Sequence, residues 1–141
     1  MAVWLIRAGR EGENETLALD EGLAVIGWSN LPNMSAISSR EEIRQILQQA
    51  QPGAPKMAIA NWTGQLWAFL NKVNVGDLTV LPSKKGSTVA VGRAVGAYEY
   101  RPDYVYRDAS HTRRVQWLTQ IPRSSFQDDP PPVDERVSDR L

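Results

Sequence analysis

His111 is the single histidine of the chain, and cysteine is absent. Zinc sites draw on several imidazole or thiolate donors, so that chemistry lacks its ligands here. A Ser-His-Asp arrangement would have to run through His111, and no serine stands in a Gly-x-Ser-x-Gly nucleophile elbow to accompany it. The histidine lies in SHTRRVQW beside two arginines, whose charge disfavours its protonation. It therefore reads as a structural hydrogen-bonding group or a backbone-phosphate contact rather than a catalyst. Metal-dependent nucleases commonly place a lysine two positions after an acidic residue or glutamine, and none of Lys56, Lys72, Lys84 and Lys85 is so placed. The glycines of AGREGENE are not followed by the helix and lysine of a phosphate loop. The sequence carries no active-site constellation and implies no metal and no cofactor, so it is read as a binding module and not an enzyme.

Aromatic residues supply the chemistry that remains. Trp4, Trp28, Trp62, Trp67 and Trp117 occur in 141 residues, with Tyr98, Tyr100, Tyr104 and Tyr106 close together in AYEYRPDYVY. Trp4 and Trp117 lie among strand residues and read as core. Trp62 and Trp67 are five apart on a helix, so they face different ways. Trp28 follows Gly27 at the end of an apolar strand and precedes Ser29 and Asn30, a setting that suits a pocket wall better than a core plug. An exposed ring of this kind offers a stacking surface to a flipped or single-stranded base, worth about 1–3 kcal/mol per base.

The elements that must position these rings are legible in outline. Val3 to Arg7 reads as a first strand, GREGENE as a polar turn and Leu23 to Trp28 as a second strand. Ser39-Arg40-Glu41-Glu42 is a capping box, followed by Ile43, Ile46, Leu47 and Ala50 at helical spacing until QPGAP. A second helix is expected over 61–72 with Asn61 as its N-cap. Leu78 to Leu81, the turn SKKGS and Thr88 to Val95 form a hairpin, and a last strand runs from about Val115 to Ile121. Short strands with two or three helices predict an α+β domain, a small curved antiparallel barrel with helices on its ends. DDPPPVDERVSDRL is acidic, proline-rich and aperiodic, so residues 128–141 are expected to be a disordered tail after a domain over 1–127.

Charge sums to zero, 16 basic against 16 acidic side chains, but residues 84–123 hold 8 basic and 3 acidic. That local excess is a modest electrostatic footprint for phosphates, with a solvated face as the plainer account. The opening MAVWLIRAG is too short in its apolar run for a signal-peptide core or a membrane span, and the absence of cysteine suits a reducing cytoplasm.

The ordered series MAVWLIRAG, AVIGWSNL, NWTGQLWAFLNKVNVGDLTVLP, TVAVGRAVGAYEYRPD and HTRRVQWLTQIPRSSF resembles the N-terminal domain of Mrr-type modification-dependent restriction endonucleases. More distantly it is similar to the EVE and YTH domains of the PUA-like group. The resemblance covers about residues 1–127. It implies a PUA-like barrel whose pocket receives a nucleobase, often a modified one, and a sensor that directs a nuclease domain or subunit to modified DNA. Carried over residue by residue, Arg7, Ala8 and Gly9 line one side of the pocket. Trp28, with Ser29 beside it, matches the aromatic after the second strand in the YTH pattern. Trp62 matches the tryptophan of the EVE Trp-x-Gly step, and Gln65 stands for an amide that reads a base edge. Ser83 follows the strand that ends in His-Ser in EVE proteins, and Asp103 belongs to the RPD step at the rim. Pro82 departs from the EVE histidine, and the segment from Trp62 to Gly76 is about one turn shorter.

Two functions of different class follow. In the first, a reader of double-stranded DNA stacks one flipped, modified base on Trp28 and Trp62 while Lys84, Lys85, Arg93, Arg113 and Arg114 hold flanking phosphates. In the second, the same aromatic patch docks a protein in an assembly; a PUA-like RNA-binding domain is the variant of the first.

Overall fold

The computed structural model describes residues 2–9, 11–28 and 30–126. Ser39 caps a helix as its spacing predicts. Its Oγ accepts the Glu42 N–H at 3.3 Å, and the Glu42 carboxylate accepts from the Ser38 N–H and from both serine hydroxyls. The reciprocal backbone bond thus falls one residue before the cap. The helix that follows, α2 (Arg40–Ala50), buries Ile43 and Leu47 completely and packs Ile46 and Ala50 at their flanks.

Among the described residues the strands and other α-helices are β1 (Val3–Leu5), α1 (Glu15–Glu21), β2 (Leu23–Ile26), α3 (Lys56–Trp67), β3 (Leu78–Pro82), β4 (Thr88–Tyr100) and β5 (His111–Pro122), with 3-10 turns at Pro102–Arg107 and Arg123–Phe126. A π-helical turn, Ala68–Lys72, extends α3. The strands form one sheet in the order β1-β3-β4-β5-β2, with β1 parallel to β3 and the other neighbours antiparallel. The described residues form a mixed α+β fold with a five-stranded sheet and three α-helices. The order ends in β1 and β2, so the sheet is open where a closed antiparallel barrel was expected. Two register shifts in β4, at Val91/Gly92 and Ala94/Tyr98, bend it across the sheet.

β2 shows how the layers are built. Ala24 and Ile26 face a core of Trp4, Leu31, Ile43, Leu47, Leu66 and Phe69 beneath α2 and α3. Leu23 and Val25 face the other way, onto Leu17, Ala18, Leu81 and Ala90 beneath α1. All four are buried, which is why the segment reads as a continuous apolar run. Among the described residues no helix is long and apolar enough to cross a membrane.

Several boundaries differ from expectation. α1 had no expected counterpart, the polar turn GREGENE reaching only its first residue; Leu17 and Ala18 bury it, and Gly22 stops it at φ 68° with its N–H on the Ala18 carbonyl. α3 begins at Lys56 rather than Asn61, because Pro55 supplies a helix-compatible φ of −61° and Met57, Ala58, Ile59 and Ala60 continue it. β1 stops at Leu5 and β2 at Ile26, two residues short in each case, whereas β4 and β5 run further than their apolar cores. The expected tail lies outside the described residues.

Trp4 and Trp117 are core-facing, and both indole N–H groups are satisfied: Trp4 donates to Asp77 Oδ2 and Trp117 to the Ala18 carbonyl, each at 2.9 Å. Asp77 is buried and opposed in ionisation by that burial. Hydrogen bonds from the Asn74 N–H, the Trp4 indole and the Ala2 N–H outweigh it and hold the carboxyl below its ordinary value of 3.8. A depressed carboxyl contributes stability that is present above the ordinary value and lost as pH falls through the folded one. Asp77→Asn is therefore expected to cost about 1–3 kcal/mol at neutral pH and to flatten the acid limb of a urea-denaturation series taken from pH 6 downward.

Candidate functional site

Trp28 is held in a conformation that its residue type disfavours. Its φ is 72°, in the left-handed region where a bulky side chain costs roughly 1–2 kcal/mol. Two donors fix the backbone there: the Leu31 N–H at 2.8 Å and His111 Nε2 at 2.9 Å both reach the Trp28 carbonyl. A carbonyl only accepts, so Nε2 carries the proton and the neutral ring accepts at Nδ1. The Tyr98 hydroxyl lies 2.7 Å from Nδ1 and donates to it, while its oxygen accepts the Met34 N–H at 3.2 Å. Burial keeps His111 below its ordinary pKa, against the opposing pull of the Trp28 carbonyl and Asp108. Burial also pushes Tyr98 up to about 12, so both rings are neutral at physiological pH. The expectation of a structural hydrogen bond at His111 holds, and burial rather than the adjacent arginines lowers its protonation.

This frame presents the Trp28 ring to Trp62. The two rings meet edge to face, 5.2 Å between centroids at 68°. Both are partly buried, backed by the core and open on a cleft of about 420 Å³. The cleft is further lined by Gly9, Glu13, Asn14, Val25, Ile26, Gly27, Asn30, Gln51 and Asp108. Its wall combines an aromatic corner with carboxylates and amides, in the size range of small-molecule sites. Trp67, on another face of α3, carries the Arg40 guanidinium 6.0 Å over its ring and does not line the cleft.

Of the residues expected at a base pocket, Gly9, Trp28 and Trp62 come together here. Ser29 lies outside the described residues. The others are corrected by the fold. Because β1 ends early, Arg7 and Ala8 pack against Ala18, Leu23 and Trp117 beneath α1. Gln65 turns inward with the core face of α3 and is 3% exposed. Ser83 donates to Glu15 Oε1 at 2.8 Å, tying α1 to the β3–β4 turn. Asp103 is exposed on a 3-10 turn and pairs with Arg101 at 3.3 Å.

The cations divide in the same way. Arg113 is 4% exposed and donates to the Phe69 and Gly96 carbonyls at 3.1 and 2.8 Å, so it secures the π-helical turn and the β4 bulge instead of a phosphate. Arg93 is partly buried on the Gly76 carbonyl at 2.9 Å. Lys84, Lys85 and Arg114 are exposed. Lys84 packs on Gly12, in the loop that sends Gly9, Glu13 and Asn14 to the cleft.

Sequence reasoning did not find Glu13, Asn14, Gln51 or Asp108. Asp108 alone left a trace, since a polar residue after a short turn is a common occupant of left-handed backbone, here φ 54°. Among the described residues no three of His, Cys, Asp and Glu gather as a metal-binding group.

Residues 4–129 match the model of a family described as a domain of unknown function, DUF8426, and the chain belongs to that family. No curated protein and no solved structure matches it.

Proposed function

We propose that this member of the DUF8426 family is a nucleic-acid reader module, in which the Trp28–Trp62 corner accepts one flipped, modified base of double-stranded DNA. The observation that carries the reading is Trp28 itself: a strained left-handed tryptophan, locked by a buried histidine, with its ring facing a cleft. Strain of this kind persists where the surroundings impose it, and it gathers at ligand sites. A base would stack on one ring and meet the other at its edge, with the amides and carboxylates of the cleft reading its polar rim.

The module acts in the cytoplasm by directing a nuclease domain or subunit, and performs no catalysis of its own. Supporting that division, both nitrogens of the one histidine are engaged inside the fold. Lys84, Lys85 and Arg114 supply the exposed charge for flanking phosphates, with Arg93 available only on leaving Gly76. Each lysine–phosphate contact adds about one unit to the slope of log affinity against log salt. Lys84→Ala with Lys85→Ala is expected to reduce that slope by roughly two in a salt titration, with Arg113→Ala lowering stability instead.

The deciding experiment titrates labelled duplexes that differ only in one methylated or hydroxymethylated base. The reading expects tighter binding to one modified duplex, lost in Trp62→Ala. Equal weak binding to all, indifferent to that substitution, would contradict it, and concentration-dependent self-association that hides tryptophan fluorescence without nucleic acid would favour an assembly domain.

A further inference from the structure

We infer that the cleft selects bases that present an amino edge, cytosine-type and adenine-type rings, over their oxo-edged counterparts; the inference rests on the reader function above. Two glycines in the wall make room for two carboxylates. A Cβ on Gly9 would lie 2.5 Å from the Glu13 carboxyl carbon, and one on Gly27 would lie 2.8 Å from Asp108 Oδ2. Gly9 also has φ 92°, which only glycine adopts without strain. Both glycines and both carboxylates line the cleft that Trp28 and Trp62 line. The Asp108 backbone is fixed in turn, its N–H donating to the Val105 carbonyl at 3.0 Å.

An ionised carboxylate accepts hydrogen bonds and donates none. It pairs with the amine on C4 of cytosine or C6 of adenine and repels a carbonyl oxygen at the same place. Glu13 accepts the Glu11 N–H at 2.9 Å, and a carboxylate has lone pairs for more than one donor. The cleft amides of Asn14, Asn30 and Gln51 both donate and accept, so the two carboxylates are what tips the wall toward an amino edge. Methylation of a cytosine ring carbon leaves the amine intact, and methylation of the adenine amine leaves one N–H, so the preference is compatible with either modification.

The test uses short single-stranded oligonucleotides with identical flanks and one variable central base, read by fluorescence anisotropy. The first pair, 5-methylcytosine and thymine, has one shape and opposite hydrogen-bonding edges; adenine and hypoxanthine form the second. The amino member of each pair is expected to bind about tenfold more tightly. Glu13→Gln with Asp108→Asn, two exposed positions, is expected to erase most of that gap because an amide also donates. Equal affinities within each pair, or a gap unchanged in the double variant, would overturn the inference alone provided that binding still depends on Trp28. Failure of all four bases to be bound both in single strands and in duplexes of the same sequence, or binding indifferent to Trp28→Gly, would overturn the reader function beneath it.

Discussion

Trp28→Gly is expected to weaken binding of a modified-base duplex by roughly 10- to 100-fold while destabilising the protein less than Trp28→Ala does. The binding loss follows from stacking, worth about 1–3 kcal/mol per base. The stability order follows from the backbone. At φ 72° the tryptophan and an alanine bear the same left-handed cost, whereas glycine bears almost none. Both variants lose the edge-to-face contact with Trp62, so the difference between them isolates the strain. Urea denaturation should separate them by about 1 kcal/mol in favour of glycine. A glycine variant less stable than the alanine one would mean that the left-handed conformation is not imposed on residue 28 by its surroundings. The pairing of outcomes matters because a surface tryptophan with ordinary backbone predicts lower binding in both variants and no such inversion.

His111→Ala carries the second large effect, a loss of about 2–4 kcal/mol of stability. The ring is 1% exposed, so its removal leaves a cavity as well as an unanswered Tyr98 hydroxyl and one fewer donor to Trp28. His111→Gln fills part of the volume and separates packing from titration. In the folded protein the imidazole pKa is depressed, chiefly by burial, so the unfolded chain binds the proton more readily. Stability from this source is therefore complete above the ordinary value of 6.5 and declines as pH falls from there through the folded value. The wild-type protein should lose stability between pH 7 and pH 5 more steeply than His111→Gln. Base binding should weaken over the same interval, since the imidazolium turns Nδ1 into a donor facing a hydroxyl that already donates to it. A wild-type profile parallel to that of His111→Gln would exclude the titration of this ring as its cause.

Trp28 was legible in the sequence for a local reason: a large ring directly after a glycine and an apolar run has few places to go. Ser39 was legible for the same kind of reason, since capping is decided within four residues. The other side of the cleft was hidden because it is assembled from distant segments. Asp108 and Gln51 reach it from the turn before β5 and the end of α2, and neither has a neighbour in sequence that points there. Glu13 was passed over with the loop around it, because α1 is only seven residues long and flanked by glycines. Gln65 and Arg113 illustrate the opposite error. The resemblance implied a base edge for Gln65 and the local basic excess a phosphate for Arg113, but helix phase turned Gln65 inward, and the Phe69 and Gly96 carbonyls gave Arg113 buried partners. The strands were legible as apolar runs, but the parallel pairing of β1 with β3, and hence the open sheet, depends on contacts between segments more than seventy residues apart.

The most direct test follows the indole N–H signals of the five tryptophans by NMR while an oligonucleotide carrying one 5-methylcytosine is added. Trp4 and Trp117 are internal references, their N–H groups bonded to Asp77 and to the Ala18 carbonyl away from the cleft. The account predicts that the Trp28 and Trp62 signals shift together and saturably while those two remain in place. Saturable binding that leaves Trp28 and Trp62 unmoved would contradict it.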